Sequence, residues 1–171
     1  MLNCSKQGMR TEAESRHFLQ STLDALSAHI AILDECGTIL EVNRAWNQVA
    51  DKHGNGKIKR GVGVNYLKVC DSASGKSSEE ASRVASGIRA VIAGTSEAFQ
   101  LDYPCHSPQV RRWFTIRVTR FVGEGTGRVV VAHENITARR RAEEELQTKA
   151  QILSESQRLG HVGSWFCDKA G

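Results

Sequence analysis

The stretch from Glu97 to Thr137, EAFQLDYPCHSPQVRRWFTIRVTRFVGEGTGRVVVAHENIT, constrains the fold more than any other part of the chain. It reads as three strands in meander order. The first ends at the Pro104–Pro108 corner, and the second and third are joined by the glycine-rich turn Gly123 to Gly127. Glycine permits positive φ, while proline fixes φ and cannot donate to a ladder, so both mark the ends of strands. Between them the residues alternate. Phe114, Ile116, Val118 and Val122 fall on one face, and Trp113, Thr115, Arg117, Thr119 and Phe121 on the other. A period of two, rich in β-branched and aromatic residues, marks a strand with two different faces. Val129 to His133 repeats it, which predicts an antiparallel sheet.

The remainder supplies two more strands and the helices. Thr11 to Ser27 is amphipathic, with Phe18, Leu19, Leu23 and Leu26 at helical spacing. Such a helix needs an apolar partner, and the outer sheet face carrying Trp113 and Phe121 is the candidate, either within one chain or across a dimer. Ile30 to Leu33, a turn at Asp34 to Gly37, and Thr38 to Val42 read as a β-hairpin. Asn43 then stands where a helix cap belongs, ahead of a helix Arg44 to Lys52 with Trp46, Val49 and Ala50 as its buried side. His53 to Gly63 is loop, Val64 to Cys70 a short helical turn, and Ser72 to Ser78 a second loop. Glu79 to Ala93 is a helix with Gly94 as its C-terminal cap. Beyond Thr137 the sequence is charged, with only a thin apolar stripe of Ala142, Leu146, Ala150, Ile152 and Leu153, as in a two-helix seam or a solvated linker helix.

Composition excludes several classes. A net charge of +4, scattered over 171 residues, does not argue for nucleic acid. No run approaches the ~20 apolar residues of a membrane helix, and the N-terminus has no apolar signal-peptide core, so the cytoplasm is the default expectation. The five cysteines are widely spaced without a C-x-x-C pair, which points to neither a disulfide framework nor a zinc site.

The order of elements, with the motifs AILDECGTILEVNRAW, YPCHSPQVRRWFTIRVTRF and VVVAHENITARRRAEEEL, resembles the PAS domains (sensory box, PAS/PAC) of bacterial multidomain signalling proteins. The resemblance implies an α+β fold: a five-stranded antiparallel sheet with short helices on one face, an N-terminal amphipathic helix and a C-terminal signalling helix. It divides the chain into a flanking helix (1–27), a PAS core (28–137), a signalling helix (138–157) and the truncated start of a second PAS domain (158–171), within a longer parent chain or a trimmed segment. In the closing motif, Asn135-Ile136-Thr137 stands where the family usually has Asp-Ile-Thr. Asparagine still caps and hydrogen-bonds but carries no charge, which weakens the case for coupling through an ion pair.

Chemical sites are sparse. Cys70-Asp71-Ser72-Ala73-Ser74-Gly75-Lys76-Ser77 ends like a phosphate loop but lacks its first glycine and its parallel sheet, so a phosphate-binding enzyme using Lys76 and Ser77 is the remote alternative. His133-Glu134 lies at the end of a strand, not on the long helix that a phospho-accepting histidine requires. Tyr66 stands where flavin-binding relatives carry their cysteine, which disfavours covalent flavin chemistry, and Cys105-His106 lacks the first cysteine of a c-type haem motif. No metal ligand set emerges and the cofactor stays unknown.

What the resemblance implies is an internal ligand pocket, with Tyr66, Arg112, Phe114, Ile116, Val131 and His133 as candidates. His133 occupies a position that faces the ligand in flavin-type relatives; the alternative is a histidine satisfied by a neighbouring carbonyl or tyrosine. Asn135, Ile136 and Thr137 are the relay, and Leu19, Leu23, Leu26, Trp113 and Phe121 the flanking-helix or dimer contact. The expected function is a cytoplasmic, non-catalytic sensor and dimerisation module. It would work as a homodimer, take a small-molecule ligand, and pass its state to downstream PAS and output domains, a histidine kinase or a GGDEF/EAL cyclic-di-GMP enzyme. Nucleic acid and a membrane span are not expected, and a ligand-free structural spacer is the alternative.

Overall fold

The computed structural model describes residues 11–53, 61–75, 78–106, 110–121 and 127–163. The order is α1 (Glu12–Asp24), β1 (His29–Leu33), β2 (Ile39–Val42), α2 (Arg44–His53), α3 (Tyr66–Asp71), α4 (Ser78–Ile92), β3 (Ala98–Pro104), β4 (Trp113–Arg120), β5 (Val129–Asn135) and α5 (Thr137–Gly163). The architecture is α+β, with one five-stranded antiparallel sheet in the order β2-β1-β5-β4-β3. The first strand therefore pairs with the last as well as with its hairpin partner, and the β1–β5 register places His29 opposite His133 and Ala31 opposite Val131. Between β4 and β5, the Phe121 N–H donates to the Arg128 carbonyl (2.8 Å) and the Ile136 N–H to the Trp113 carbonyl (2.9 Å). Both bonds belong to one antiparallel register, which sets Ile116 beside His133.

The alternation in β4 sorts its side chains as expected on one face. Phe114, Ile116 and Val118 are buried, together with Val129 and Val131 of β5 and Leu33 and Ile39 of the first hairpin. Trp46, Leu67, Cys70, Val84, Ala85, Ile88 and Val91 close the same core from α2, α3 and α4. Each large aliphatic side chain removed from water in this way contributes about 1.5–3 kcal/mol. On the opposite face Thr115 is also buried, and its hydroxyl has no hydrogen-bond partner among the described residues.

Two glycines are dictated by geometry. Gly94 ends α4 with φ +74°, the left-handed conformation that costs a residue without Cβ nothing. Gly87 lies under the ring of Phe99, so closely that any Cβ there would collide with it.

The chain forms two compact units: one of residues 1–103 and 114–134, the other of 104–113 and 135–171. In the second, α5 runs on to Gly163, past the expected end at Gln157. Residues 122–126, which hold Val122 and most of the expected glycine-rich turn, lie outside the described residues. So do the Lys76-Ser77 pair, the side chains of Val49 and Ala50, and residues 164–171 of the expected second domain. Among the described residues, Cys36 and Cys105 are exposed and Cys70 is buried, and no helix is long and apolar enough to cross a membrane.

Candidate functional site

Three elements deliver aromatic side chains to His133 on β5. Asn65 caps α3 by accepting the Lys68 N–H (2.9 Å) and fastens it by donating to the Cys36 carbonyl (2.8 Å). That fixes Tyr66, the first residue of the helix, whose hydroxyl lies 3.1 Å from His133 Nε2. From β3, the alternation Phe99, Leu101, Tyr103 carries the Tyr103 hydroxyl inward, to 2.7 Å from His133 Nδ1. From α2, the Trp46 ring stands 5.8 Å from Tyr66 and 5.7 Å from His133, centroid to centroid. Tyr103 stacks on Phe114 at 6.1 Å, and Phe114 meets His29 at 5.7 Å.

Both imidazole nitrogens of His133 are therefore engaged by phenols. A neutral imidazole has one donor and one acceptor nitrogen, so in either tautomer one tyrosine donates to the ring and the other accepts from it. Of the two readings open for His133, this is the tyrosine-satisfied one. Tyr66, Tyr103 and His133 are only half-buried, whereas Phe114, Ile116 and Val131 are buried. His29, across the ladder from His133, has its imidazole pushed below the ordinary histidine value by burial.

Arg112 lies just ahead of β4, which begins at the next residue, Trp113. Arg112 is exposed, its carbonyl accepts the Cys105 N–H (2.9 Å) and its own N–H donates to His106 Nδ1 (3.2 Å).

The relay residues form a compact joint. Trp113 N–H donates to Thr137 Oγ1 (2.9 Å), Ile136 N–H to the Trp113 carbonyl (2.9 Å), and Thr137 N–H to Asn135 Oδ1 (3.0 Å). Asn135 thus makes an Asx turn into α5, with no charge required. The Trp113 ring is held edge-on by His106 at 5.4 Å and covered by the Arg140 guanidinium at 4.7 Å.

Within the single chain, the hydrogen bonds of α1 do not lead to Phe121. Phe121 is half exposed, and Leu19 and Leu26 remain exposed on α1 and just beyond its end. The bonds of α1 lead to β2 and α2 instead. Gln20 Nε2 donates to the Val42 carbonyl (3.2 Å), and Asp24 Oδ1 accepts the Arg44 N–H (2.6 Å). The reason is electrostatic satisfaction: the last carbonyls of α1 and the first N–H groups of α2 both lack partners within their helices, and each meets the other's side chains. Beside this contact opens a cleft of about 810 Å³, lined by Arg16, His17 and Gln20 of α1, Glu41 of β2 and Asn47 of α2. No sequence signal marked it.

Sequence reasoning also missed Tyr103, Trp46 and His29 as neighbours of His133. The strand alternation before Pro104 was the signal that could have found Tyr103.

No family model matches the chain. An uncharacterized 104.1 kDa protein in the hypE 3′ region of Rhodobacter capsulatus is 38% identical over 129 residues, 74% of this chain. The match takes in only 13% of that relative's length. Among solved structures, the PAS domain of Bordetella pertussis BvgS superposes with a TM-score of 0.51 at 18% identity, over 83% of this chain and 98% of that one. The phage VqmA-DPO complex gives 0.52 at 14% identity, over 81% of this chain and 60% of that one. These likenesses, with the strand order and the helices on the inner face, establish the fold.

Proposed function

We propose that this chain, whose fold is that of the PAS domains, is a cytoplasmic, non-catalytic sensor and dimerisation module of a longer signalling protein. In this reading a small ligand or a partner's state acts at the inner end of the sheet, around Tyr66, Phe114 and His133. The change runs along β5 into Asn135, Ile136 and Thr137, and so into α5, which pairs with α5 of a second copy. Downstream PAS and output domains, a histidine kinase or a GGDEF/EAL enzyme, would read the helix.

The observation that supports this reading most is the joint. His133 and Asn135 lie on one strand, and the residues that follow tie the start of α5 to Trp113 through two short hydrogen bonds and to Asn135 through a third. Signalling requires two states with different affinity for the input, and a side chain four residues upstream of a bonded helix start is well placed to bias one. The test is amide exchange and sedimentation of the chain itself. We expect a dimer, and we expect His133→Leu to keep the fold while changing exchange across Ile136 to Arg140. A monomer whose exchange there is indifferent to His133→Leu would refute the proposal.

One observation favours the spacer reading: the space beside His133 is occupied by the rings of Trp46, Tyr66 and Tyr103. Native mass spectrometry of freshly purified protein separates the two. A co-purifying small mass supports sensing, and the bare chain mass supports the spacer.

A further inference from the structure

The Asn43 side chain is wholly buried and all of its hydrogen-bonding capacity is used. Its Oδ1 accepts from the Ile30 N–H (3.0 Å) and from the Trp46 N–H (3.0 Å). Its Nδ2 donates to the carbonyls of Ala28 (2.8 Å) and Leu23 (3.1 Å), with Leu26 further off at 3.4 Å. One amide thus holds the end of α1, the start of β1 and the first turn of α2. Among the described residues, α1 has no side chain in the buried core, Leu23 is half-buried, and Phe18 and Leu19 lie more than half exposed. Its seat depends on polar bonds: those to Asn43, the Gln20 bond to Val42, and a pair between Asp24 and Arg44. In that pair the Arg44 N–H donates to Asp24 Oδ1 (2.6 Å) and Arg44 Nη2 to the Asp24 carbonyl (3.2 Å).

We infer that α1 is a conformational input to the aromatic cluster, read through Asn43. Lifting α1 withdraws the Leu23 carbonyl and leaves Nδ2 with Ala28, beside β1, as its remaining close acceptor, so one of its two N–H groups loses its partner on α1. A buried donor without a partner is costly, so the amide must turn or move with the helix. The same amide holds the Trp46 N–H, and the Trp46 ring packs against both Tyr66 and His133. Any rearrangement of Asn43 therefore reaches the Tyr66–His133 bond within one residue. All of these groups belong to a single compact unit. The inference goes beyond the sensing reading and stands whether or not α5 signals, because it concerns how the segment preceding the sheet sets the state of the sheet's interior.

The test uses the whole chain carrying Gln20→Ala and Asp24→Ala, which remove surface bonds and leave Asn43 intact. Amide exchange of Leu23 to Ala28 should become about tenfold faster or more, and the ring ¹⁵N resonances of His133 should shift. Coupling is reciprocal, so Tyr66→Phe, which deletes only the hydroxyl bonded to His133, should change exchange at Leu23 to Ala28 as well. Loosening of α1 with His133 resonances unmoved would overturn the inference. So would unchanged α1 exchange in the double variant, since the seat would then not rest on these bonds.

Discussion

Helices α4 and α5 are both helical by the same local rules and end in opposite situations. α4 spans 15 residues and buries Val84, Ala85, Gly87, Ile88 and Val91. α5 spans 27 residues, and its largest apolar side chains, Leu146, Ile152 and Leu153, remain 67%, 61% and 61% exposed. The width of the apolar face explains the difference. In α4 the apolar residues recur at i, i+1, i+4 and i+7, a band broad enough to lie on a sheet. In α5 they form a single line between charges, and the helix supports itself with i,i+4 pairs such as Glu145 to Lys149 at 2.6 Å. Such exposed pairs are worth only about 0.3–0.5 kcal/mol each. Helicity is thus settled locally in both, whereas docking is settled only where the stripe is wide.

The core side of this comparison breaks with the largest effects. Phe114→Ala should cost about 3–5 kcal/mol and Ile88→Ala about 2–5 kcal/mol, because both vacate space that their neighbours cannot refill. Urea unfolding measures both, and near-neutral values would mean that the inner face has been assigned to the wrong side. Gly87→Ala should cost about 1–3 kcal/mol, since the new methyl meets the Phe99 ring. A neutral result there would show that α4 can slide on β3.

How far the sequence foretold this molecule follows from the same physics. Strands β4 and β5, the Gly94 terminus of α4 and the Asn43 cap were legible because each depends on residues within a few positions of one another. Tyr66, 67 residues from His133, was named beside it only through the resemblance, and Tyr103 was missed, because it comes from a strand 30 residues away and meets His133 only once the sheet has formed. The bonds that seat α1 within the chain were hidden for a related reason. Its leucines suggested apolar docking, whereas the decisive groups are backbone carbonyls, which every sequence possesses.

A smaller effect sharpens the account of the aromatic end. The His29 imidazole sits below its ordinary value because burial disfavours its charged form. A histidine whose folded value is lowered binds less proton in the folded state than in the unfolded one. Its contribution is therefore fully present at neutral pH and is lost as pH falls through the unfolded value of about 6.5 toward the folded one. Thermal unfolding followed across that window should show the melting temperature falling with acid, and His29→Gln should flatten part of the slope. An identical slope in the variant would place the titration elsewhere.

The smallest effect on stability is expected on α5, and it decides whether the contrast with α4 is real. Leu146→Ala combined with Leu153→Ala leaves helix propensity intact, since alanine is the better helix former. Both positions are mostly in water, so the domain's unfolding free energy should change by no more than about 0.5 kcal/mol. What should change is self-association. If the stripe is a seam for a second copy, sedimentation should show the double variant dissociating at concentrations where the unaltered chain is paired. A loss of stability as large as that of Ile88→Ala would instead make α5 part of the folded core, and the distinction drawn between a docked helix and one awaiting its partner would fail.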